Sequence, residues 1–136
     1  MQYSSARRAY GDNGILTASP ARLLTMLYDR LVLDLERGEI ALAAGDREAA
    51  HRALTHAQDI LLELKSSLKV DLWDGAARLM SLYDWFTRQL ITANIRGDAA
   101  IVLEVRRLAE PLRDAWHEAA LQVSAAAARP AALARA

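Results

Sequence analysis

The chain has 136 residues, of which 53% are hydrophobic, so it can fold around one core and does not have a disordered composition. Lys and Arg number 17 and Asp and Glu also number 17, and this zero net charge does not resemble the basic composition of a nucleic-acid-binding protein. Without cysteine the chain forms neither a disulfide nor a Cys-based metal site, and no apolar run reaches the roughly 18 residues of a membrane span.

Residue usage also predicts the fold class and the compartment. Glycine and proline are scarce, at six and three residues, while leucine and alanine dominate, which favours an all-α protein. The N-terminal segment lacks the apolar centre of a signal peptide. We therefore expect a cytoplasmic protein that does not insert into a membrane.

The first 16 residues are predicted to form a flexible N-terminal arm. They carry no sustained hydrophobic period, and the run Gly11-Asp-Asn-Gly14 is typical of a turn. The arm still contains sizeable apolar side chains that can dock onto another surface. The candidates among them are Tyr10, Ile15 and Leu16.

The first predicted helix begins at Ser19, which suits an N-cap, and Pro20, which suits the first turn. It extends to about Ala44 and ends at Gly45. Its main apolar face consists of Leu23, Leu24, Leu27, Tyr28, Leu31, Leu35 and Leu42. A second apolar stripe lies on a different side, where seven-residue spacing keeps its members nearly aligned: Met26, Leu33 and Ile40.

Two further helices follow. The second is predicted from an Asp46 N-cap to about Leu68, and the third spans about 72–96, where Gly97 suits a left-handed terminal residue. The second helix presents an apolar face of Ala50, Ala53, Leu54, Ala57, Leu61, Leu64 and Leu68. The third presents Leu79, Leu82, Tyr83, Phe86, Leu90, Ala93 and Asn94. Trp85 points with the polar side of the third helix.

The fourth helix is predicted over about 98–123. Its apolar face consists of Ile101, Val105, Leu108, Leu112, Ala115, Trp116 and Ala119. Pro111 lies inside it, where proline removes a backbone donor at a cost of ~3 kcal/mol or more. Because the apolar period continues in phase across Pro111, we expect a kink rather than a break. The alanine-rich residues 124–136 have little to bury, which predicts a frayed or disordered tail.

The short connections between these helices predict their arrangement. Loops of about 2–6 residues make successive helices antiparallel, so we expect an antiparallel up-down-up-down four-helix bundle. The predicted organisation is an arm at 1–16, a helical bundle domain at 17–123 and a tail at 124–136.

The histidines are the candidates for metal binding or catalysis. Glu48-Ala-Ala-His51 has the spacing of a di-iron helix and Asp114-Ala-Trp-His117 is a looser match. Both pairs fall outside the apolar stripes, whereas such ligands project into a bundle core. His56 could serve a phosphotransfer bundle, but the Lys-Gly pattern that follows the histidine in such domains is missing. We predict that His51 and His56 are solvated and that there is no catalytic site, metal or cofactor.

Apolar residues outside the core faces indicate a protein-binding surface. A lone apolar residue such as Leu62 is ordinary on a surface. An aligned stripe, or a tryptophan on a polar face, instead favours the docking of another helix. The candidate client-binding residues are therefore Tyr10, Ile15, Leu16, Met26, Leu33, Ile40 and Trp85.

With these residues laid out, the chain resembles the FliS-type flagellar export chaperones from roughly Tyr10 to Trp116. The order and spacing of several short pieces carry the resemblance. They are Tyr10, Thr17-Ala-Ser-Pro20, Met26-Leu-Tyr-Asp29, Gly45-Asp46, His56-Ala-Gln-Asp-Ile-Leu61 with Glu63-Leu64, Leu82-Tyr83-Asp84, Leu90-Ile91 with Ala93-Asn94-Ile95, and Leu112-Arg-Asp-Ala-Trp116. Three positions depart from the family pattern: Arg30, where glycine is usual, Arg22, where an acid is usual, and Pro111.

The resemblance implies a helical bundle that binds the C-terminal region of flagellin in the cytoplasm. It further implies that the bound segment is kept from polymerising early and is delivered to the export gate through the membrane protein FlhA. Family members have an arm that can occupy part of the binding surface, and Tyr10 is the arm position that matches best. Two alternatives stay open, an adaptor for another secretion client and a phosphotransfer bundle that uses His56. Monomer and homodimer also stay open.

Overall fold

Four α-helices account for most of the residues that the structure describes. The structure is a computed structural model and describes residues 19–68 and 74–135, with side-chain surroundings up to residue 128. The helices are α1 (Pro20–Ala43), α2 (Arg47–Ser67), α3 (Gly75–Arg96) and α4 (Ala99–Arg135). The predicted all-α four-helix bundle is confirmed. In the described ranges, no helix is both long enough and apolar enough to cross a membrane.

Local sequence signals set the helix ends. The backbone N–H of Arg22 donates to Ser19 Oγ at 3.1 Å, and that of Ala49 donates to Asp46 Oδ1 at 3.1 Å, so both predicted N-caps are confirmed. Gly97 ends α3 with a φ of +68°, a conformation that side chains with a Cβ rarely adopt. The predicted start of the third helix, near residue 72, lies outside the described residues.

Contacts between distant residues give the antiparallel arrangement. Arg106, early in α4, donates from Nε to Glu39 Oε2 near the end of α1 at 2.8 Å. Later in α4, His117 Nε2 lies 2.6 Å from Asp29 Oδ1, near the start of α1. α1 packs against both α2 and α4, and α3 closes the bundle by packing against the same two helices.

The core is built from leucines and alanines around two tyrosines. Tyr28 on α1 and Tyr83 on α3 are both buried, and their hydroxyl oxygens lie 2.6 Å apart across the bundle. At the other end, α1 approaches α2 closely at Gly38. A Cβ placed on Gly38 would lie 2.6 Å from Leu54 Cδ2, so a side chain here would require the buried Leu54 side chain to shift.

The predicted face of the fourth helix was partly wrong. α4 buries Val102, Val105 and Ala109, whereas Leu108 is 45% exposed. The buried residues and the exposed Leu108 all fit the apolar period of the sequence, because an apolar stripe on a helix is more than 100° wide. The set that faces the bundle contains the smaller side chains, while Leu112 and the residues after it are half-buried or exposed.

The predicted end of the fourth helix was also wrong. α4 is one α-helix from Ala99 to Arg135, so Pro111 does not break it and residues 124–135 are helical. Pro111 is exposed, and the side chains of residues 121–128 are all exposed. The alanine-rich segment has little to bury, as expected. It remains helical because alanine has the highest helix propensity and the helical hydrogen bonds are local.

Candidate functional site

Two apolar grooves lie side by side near Trp116 of α4. The first, the α3–α4 groove, has a volume of about 390 Å³, and the second, the α1–α4 groove, has a volume of about 340 Å³. The α3–α4 groove is lined by Gly75, Arg78, Leu79, Leu82, Leu112, Ala115, Trp116 and Ala119. The α1–α4 groove is lined by Pro20, Ala21, Leu24, Ser67, Trp116, Ala119, Ala120 and Val123. Trp116 and Ala119 line both and form a ridge between them.

The spacing of residues along α4 explains why one helix can line two grooves. Leu112, Ala115, Trp116 and Ala119 follow the i, i+3, i+4, i+7 pattern of a single helix face. Farther toward the start of α4 the bundle covers the buried face, but here the face is only partly covered. An apolar stripe therefore continues past the core and meets solvent.

The buried tyrosine pair lies on the core side of the Trp116 ring. The ring centroids of Trp116 and Tyr28 lie 6.4 Å apart, and those of Tyr28 and Tyr83 lie 6.4 Å apart. These distances and the tilted ring planes suit attractive aromatic contacts. The pair of hydroxyl groups fixes the position of Tyr28, and Tyr28 in turn limits how far the Trp116 ring can sink into the bundle.

Burial keeps both tyrosines neutral. Burial raises the pKa of Tyr28, and hydrogen bonding to Tyr83 and Trp116 opposes that rise in part. Burial also raises the pKa of Tyr83, and the neighbouring Tyr28 raises it further. The floor beneath Trp116 is therefore uncharged across the physiological pH range.

The composition of the grooves suits an apolar helical segment. Leucine and tryptophan side chains supply apolar contact area, and the small side chains of Ala115 and Ala119 leave room for the side chains of a partner. Arg78 is the one charged residue that lines the α3–α4 groove. Grooves of this kind accept the apolar face of an amphipathic helix, with anchors spaced three or four residues apart.

The structure does not bring the predicted client-binding residues together at these grooves. Tyr10, Ile15 and Leu16 lie outside the described residues. Of the α1 stripe, Met26 and Leu33 are half-buried and only Ile40 is largely exposed, at 70%. Trp85 is half-buried, packs against the core and lies 5.9 Å from the Phe86 ring, so its predicted outward direction is only partly right. None of the four residues on α1 and α3 lines either groove.

The leucines and the tryptophan of the grooves were predicted to lie in the core. Leu24, Leu82, Leu112 and Trp116 belong to the predicted core faces, and the structure leaves all of them half-buried. A hydrophobic period shows which side of a helix is apolar, but it does not show where the neighbouring helices stop covering that side. The signal that could have found them is the bulky Trp116 between the small residues Ala115 and Ala119.

The prediction that His56 is solvated was only partly right, because its side chain is 30% exposed. His56 Nδ1 is hydrogen-bonded to the carboxylate of Asp34, which is 1% exposed, and Arg30 Nε donates to Asp34 Oδ1 at 3.2 Å. Burial raises the pKa of Asp34, while His56 and Arg30 oppose the rise by stabilising the charged form. His51 is exposed, as predicted, and its Nδ1 lies 2.9 Å from Asn94 Nδ2. Among residues 19–68 and 74–135, His, Cys, Asp and Glu form no group of three that could hold a metal ion.

Comparison with known proteins gives the family. The model of the family described as "Flagellar protein FliS" matches residues 2–123. The chain belongs to the FliS family of flagellar chaperones. Every residue of both grooves lies inside the matched range, whereas residues 124–135 of α4 lie beyond it.

Curated relatives agree with the FliS assignment. The chain is 33% identical over 124 residues to the flagellar secretion chaperone FliS of Salmonella typhimurium, an alignment that covers 87% of this chain and 92% of the relative. It is 32% identical over 111 residues to the protein of the same name from Bacillus subtilis, covering 82% and 83%. The Escherichia coli protein is 30% identical over 115 residues, covering 83% and 85%.

Proposed function

We propose that this chain is a non-enzymatic cytoplasmic chaperone that binds the C-terminal region of flagellin. In this proposal the chaperone prevents premature polymerisation and delivers the client to the flagellar export gate through FlhA. The observation that carries the proposal is the pair of apolar grooves on either side of Trp116, in a chain of the FliS family. An apolar polymerisation segment needs its apolar face covered, and these grooves offer the complementary surface.

Trp116 is the expected anchor of client binding. It borders both grooves, it is half-buried, and Tyr28 supports it from below. Tryptophan in a well-packed pocket often dominates the free energy of an interface. A client segment that fills both grooves would enclose Trp116 on two sides and shield it from water.

We also propose that the N-terminal arm competes with the client. Only three residues separate the end of the arm from Pro20, the first residue of α1, and Pro20 itself lines the α1–α4 groove. The arm is therefore tethered at the rim of the groove, which gives its apolar side chains a high effective concentration there. Tyr10, Ile15 and Leu16 are the side chains proposed to occupy the surface when no client is bound.

The α1 stripe is proposed as a second, peripheral client contact. Ile40 is 70% exposed and supplies the apolar area, with Leu33 and Met26 aligned with it along the helix. Trp85 on α3 is half-buried and belongs to the same proposal. These residues lie outside the grooves, so their contribution is expected to be smaller than that of Trp116.

The groove proposal is tested by measuring affinity for a peptide of the flagellin C-terminal region by calorimetry. Ala115→Glu places a charge in the α3–α4 groove at an exposed position, and a client that fills the groove would have to bury that charge. We expect affinity to fall about ten-fold or more, which corresponds to about 1.4 kcal/mol. The matched control is Ala100→Glu, an exposed alanine in the first turn of the same helix, where a carboxylate is compatible with the helix dipole.

Two results would contradict the proposal. Equal affinities for Ala115→Glu and Ala100→Glu would remove the α3–α4 groove from the client-binding surface. Binding to amphipathic peptides from other secreted proteins, without binding to the flagellin segment, would favour an adaptor for a different client. Melting temperatures of both variants establish that a loss of affinity is not a loss of folding.

A further inference from the structure

We propose that the cleft between α1 and α2 is a binding site for an oxyanion, the carboxylate or phosphate group of a ligand. The cleft has a volume of about 480 Å³ and shares no residue with either apolar groove. Its lining consists of Arg30, Asp34, Arg37, Ala49, Arg52, Ala53 and His56. This inference is independent of the proposed function, because it concerns a different surface and a different ligand chemistry.

The charge of the cleft contrasts with the charge of the whole chain. Three arginines and one aspartate line it, which leaves two net positive charges with His56 neutral. The chain as a whole has a formal net charge of zero. A concave surface with an excess of positive charge focuses the electric field and raises the local concentration of anions.

Helical spacing brings the three arginines and His56 together from two facing helices. Arg30 and Arg37 are seven residues apart, two turns along one side of α1. Arg52 and His56 are four residues apart, one turn along one side of α2. The small side chain of Ala53 lies between them and leaves the cleft open.

A buried carboxylate orients two members of the cleft. Asp34 is 1% exposed, and it accepts a hydrogen bond from Arg30 Nε at 3.2 Å while its other oxygen bonds to His56 Nδ1. Because Asp34 engages only Nε of Arg30, the two terminal nitrogens of that guanidinium can donate to a second acceptor. A guanidinium group held in this way matches the two oxygens of a carboxylate or phosphate.

The other two arginines are weakly engaged. Within the described ranges, Arg37 forms no ion pair, and Arg52 pairs only with Glu48 at 3.2 Å. The side chains of Arg52 and Glu48 are 66% and 87% exposed, so water and salt screen this pair strongly. Both arginines can therefore turn toward a bound anion without breaking a buried contact.

The proposal is tested by titrating the full chain, isotopically labelled for NMR, with inorganic phosphate and separately with a hexaglutamate peptide at low chloride concentration. We expect saturable shifts of signals from residues 30–37 and 52–56 with at least one of the two anions. The double variant Arg37→Gln/Arg52→Gln should weaken that binding ten-fold or more. The matched control Arg88→Gln/Arg96→Gln removes the same charge from two exposed positions on α3 and should change affinity less than two-fold.

Each outcome decides the question. Saturation by the peptide alone identifies a carboxylate ligand, whereas saturation by phosphate alone identifies a phosphate ligand. Each of these results supports the site. The proposal is overturned if neither anion shifts these signals, or if the control variant loses as much affinity as the cleft variant. The single variant Arg37→Gln, at an exposed position, repeats the test if the double variant fails to fold.

Discussion

Removing one hydroxyl group of the Tyr28–Tyr83 pair should destabilise the bundle more than removing both. The two hydroxyl oxygens lie 2.6 Å apart in the core, where neither reaches water. Tyr28→Phe leaves the Tyr83 hydroxyl without another hydrogen-bond partner among the described residues. Losing a hydrogen bond costs about 1 kcal/mol, and leaving a buried polar group unsatisfied adds about 1–3 kcal/mol. We expect Tyr28→Phe to lower the free energy of unfolding by about 2–4 kcal/mol.

The second single variant removes the same hydrogen bond. Tyr83→Phe leaves the Tyr28 hydroxyl buried beside the Trp116 ring without its tyrosine partner, so it should also cost about 2–4 kcal/mol. The double variant replaces both polar groups with apolar ones of the same shape and should lie within about 1 kcal/mol of the natural protein. The three values together give a coupling energy of about 2 kcal/mol or more.

Urea unfolding followed by circular dichroism measures these differences. For a chain of this length, 1 kcal/mol corresponds to a shift of roughly 3–5 °C in melting temperature, which provides a second readout. The slope of free energy against urea should stay constant if the folded and unfolded states keep their compactness. Additive effects of the two substitutions, or single variants as stable as the natural protein, would refute the assignment of a buried hydrogen bond.

Three further perturbations have expected outcomes. Gly38→Ala places a Cβ 2.6 Å from Cδ2 of the fully buried Leu54, and this overpacking should outweigh the roughly 1 kcal/mol gained in helix propensity, for a net loss of about 1 kcal/mol in urea unfolding. A more stable variant would show that the Leu54 side chain moves aside without cost. Deleting residues 1–16 should change calorimetric affinity for the flagellin segment by more than ~1 kcal/mol, and no change would argue against competition by the arm. Burial raises the pKa of Tyr28 and Tyr83 above the unfolded value, so their contribution to stability is complete below about pH 10 and is lost as the pH rises further. The double phenylalanine variant should therefore lose less free energy of unfolding above pH 10 than the natural protein. An equal loss in both proteins would contradict this.

The pattern of local signals predicted the helices well. Ser19 and Asp46 cap α1 and α2, and Gly97 ends α3, as the sequence indicates. Each of these signals acts between residues at most three or four positions apart, so they can be read without knowledge of the fold. The end of α4 was predicted wrongly because the scarcity of large apolar residues after Val123 does not stop an alanine-rich helix.

The candidate site was much less predictable. Leu112 and Trp116 continue the same apolar period as Val105, yet Val105 is buried and the other two are half-buried. Asp34 and His56 are 22 residues apart, and no local rule joins them. The i, i+4 pair of Arg30 and Asp34 is readable on the helix, but its burial is not.

By itself, the sequence determined that this chain is helical, where three of its helices begin or end, and to which family its motifs belong. Helical hydrogen bonds and caps close within a single turn, so they depend on neighbours along the chain. Only the tertiary structure decided which apolar side chains are covered and which cations share a cleft. Burial depends on how each helix is rotated and on where its neighbours end, and for this reason Trp116 became a ridge between two grooves instead of part of the core.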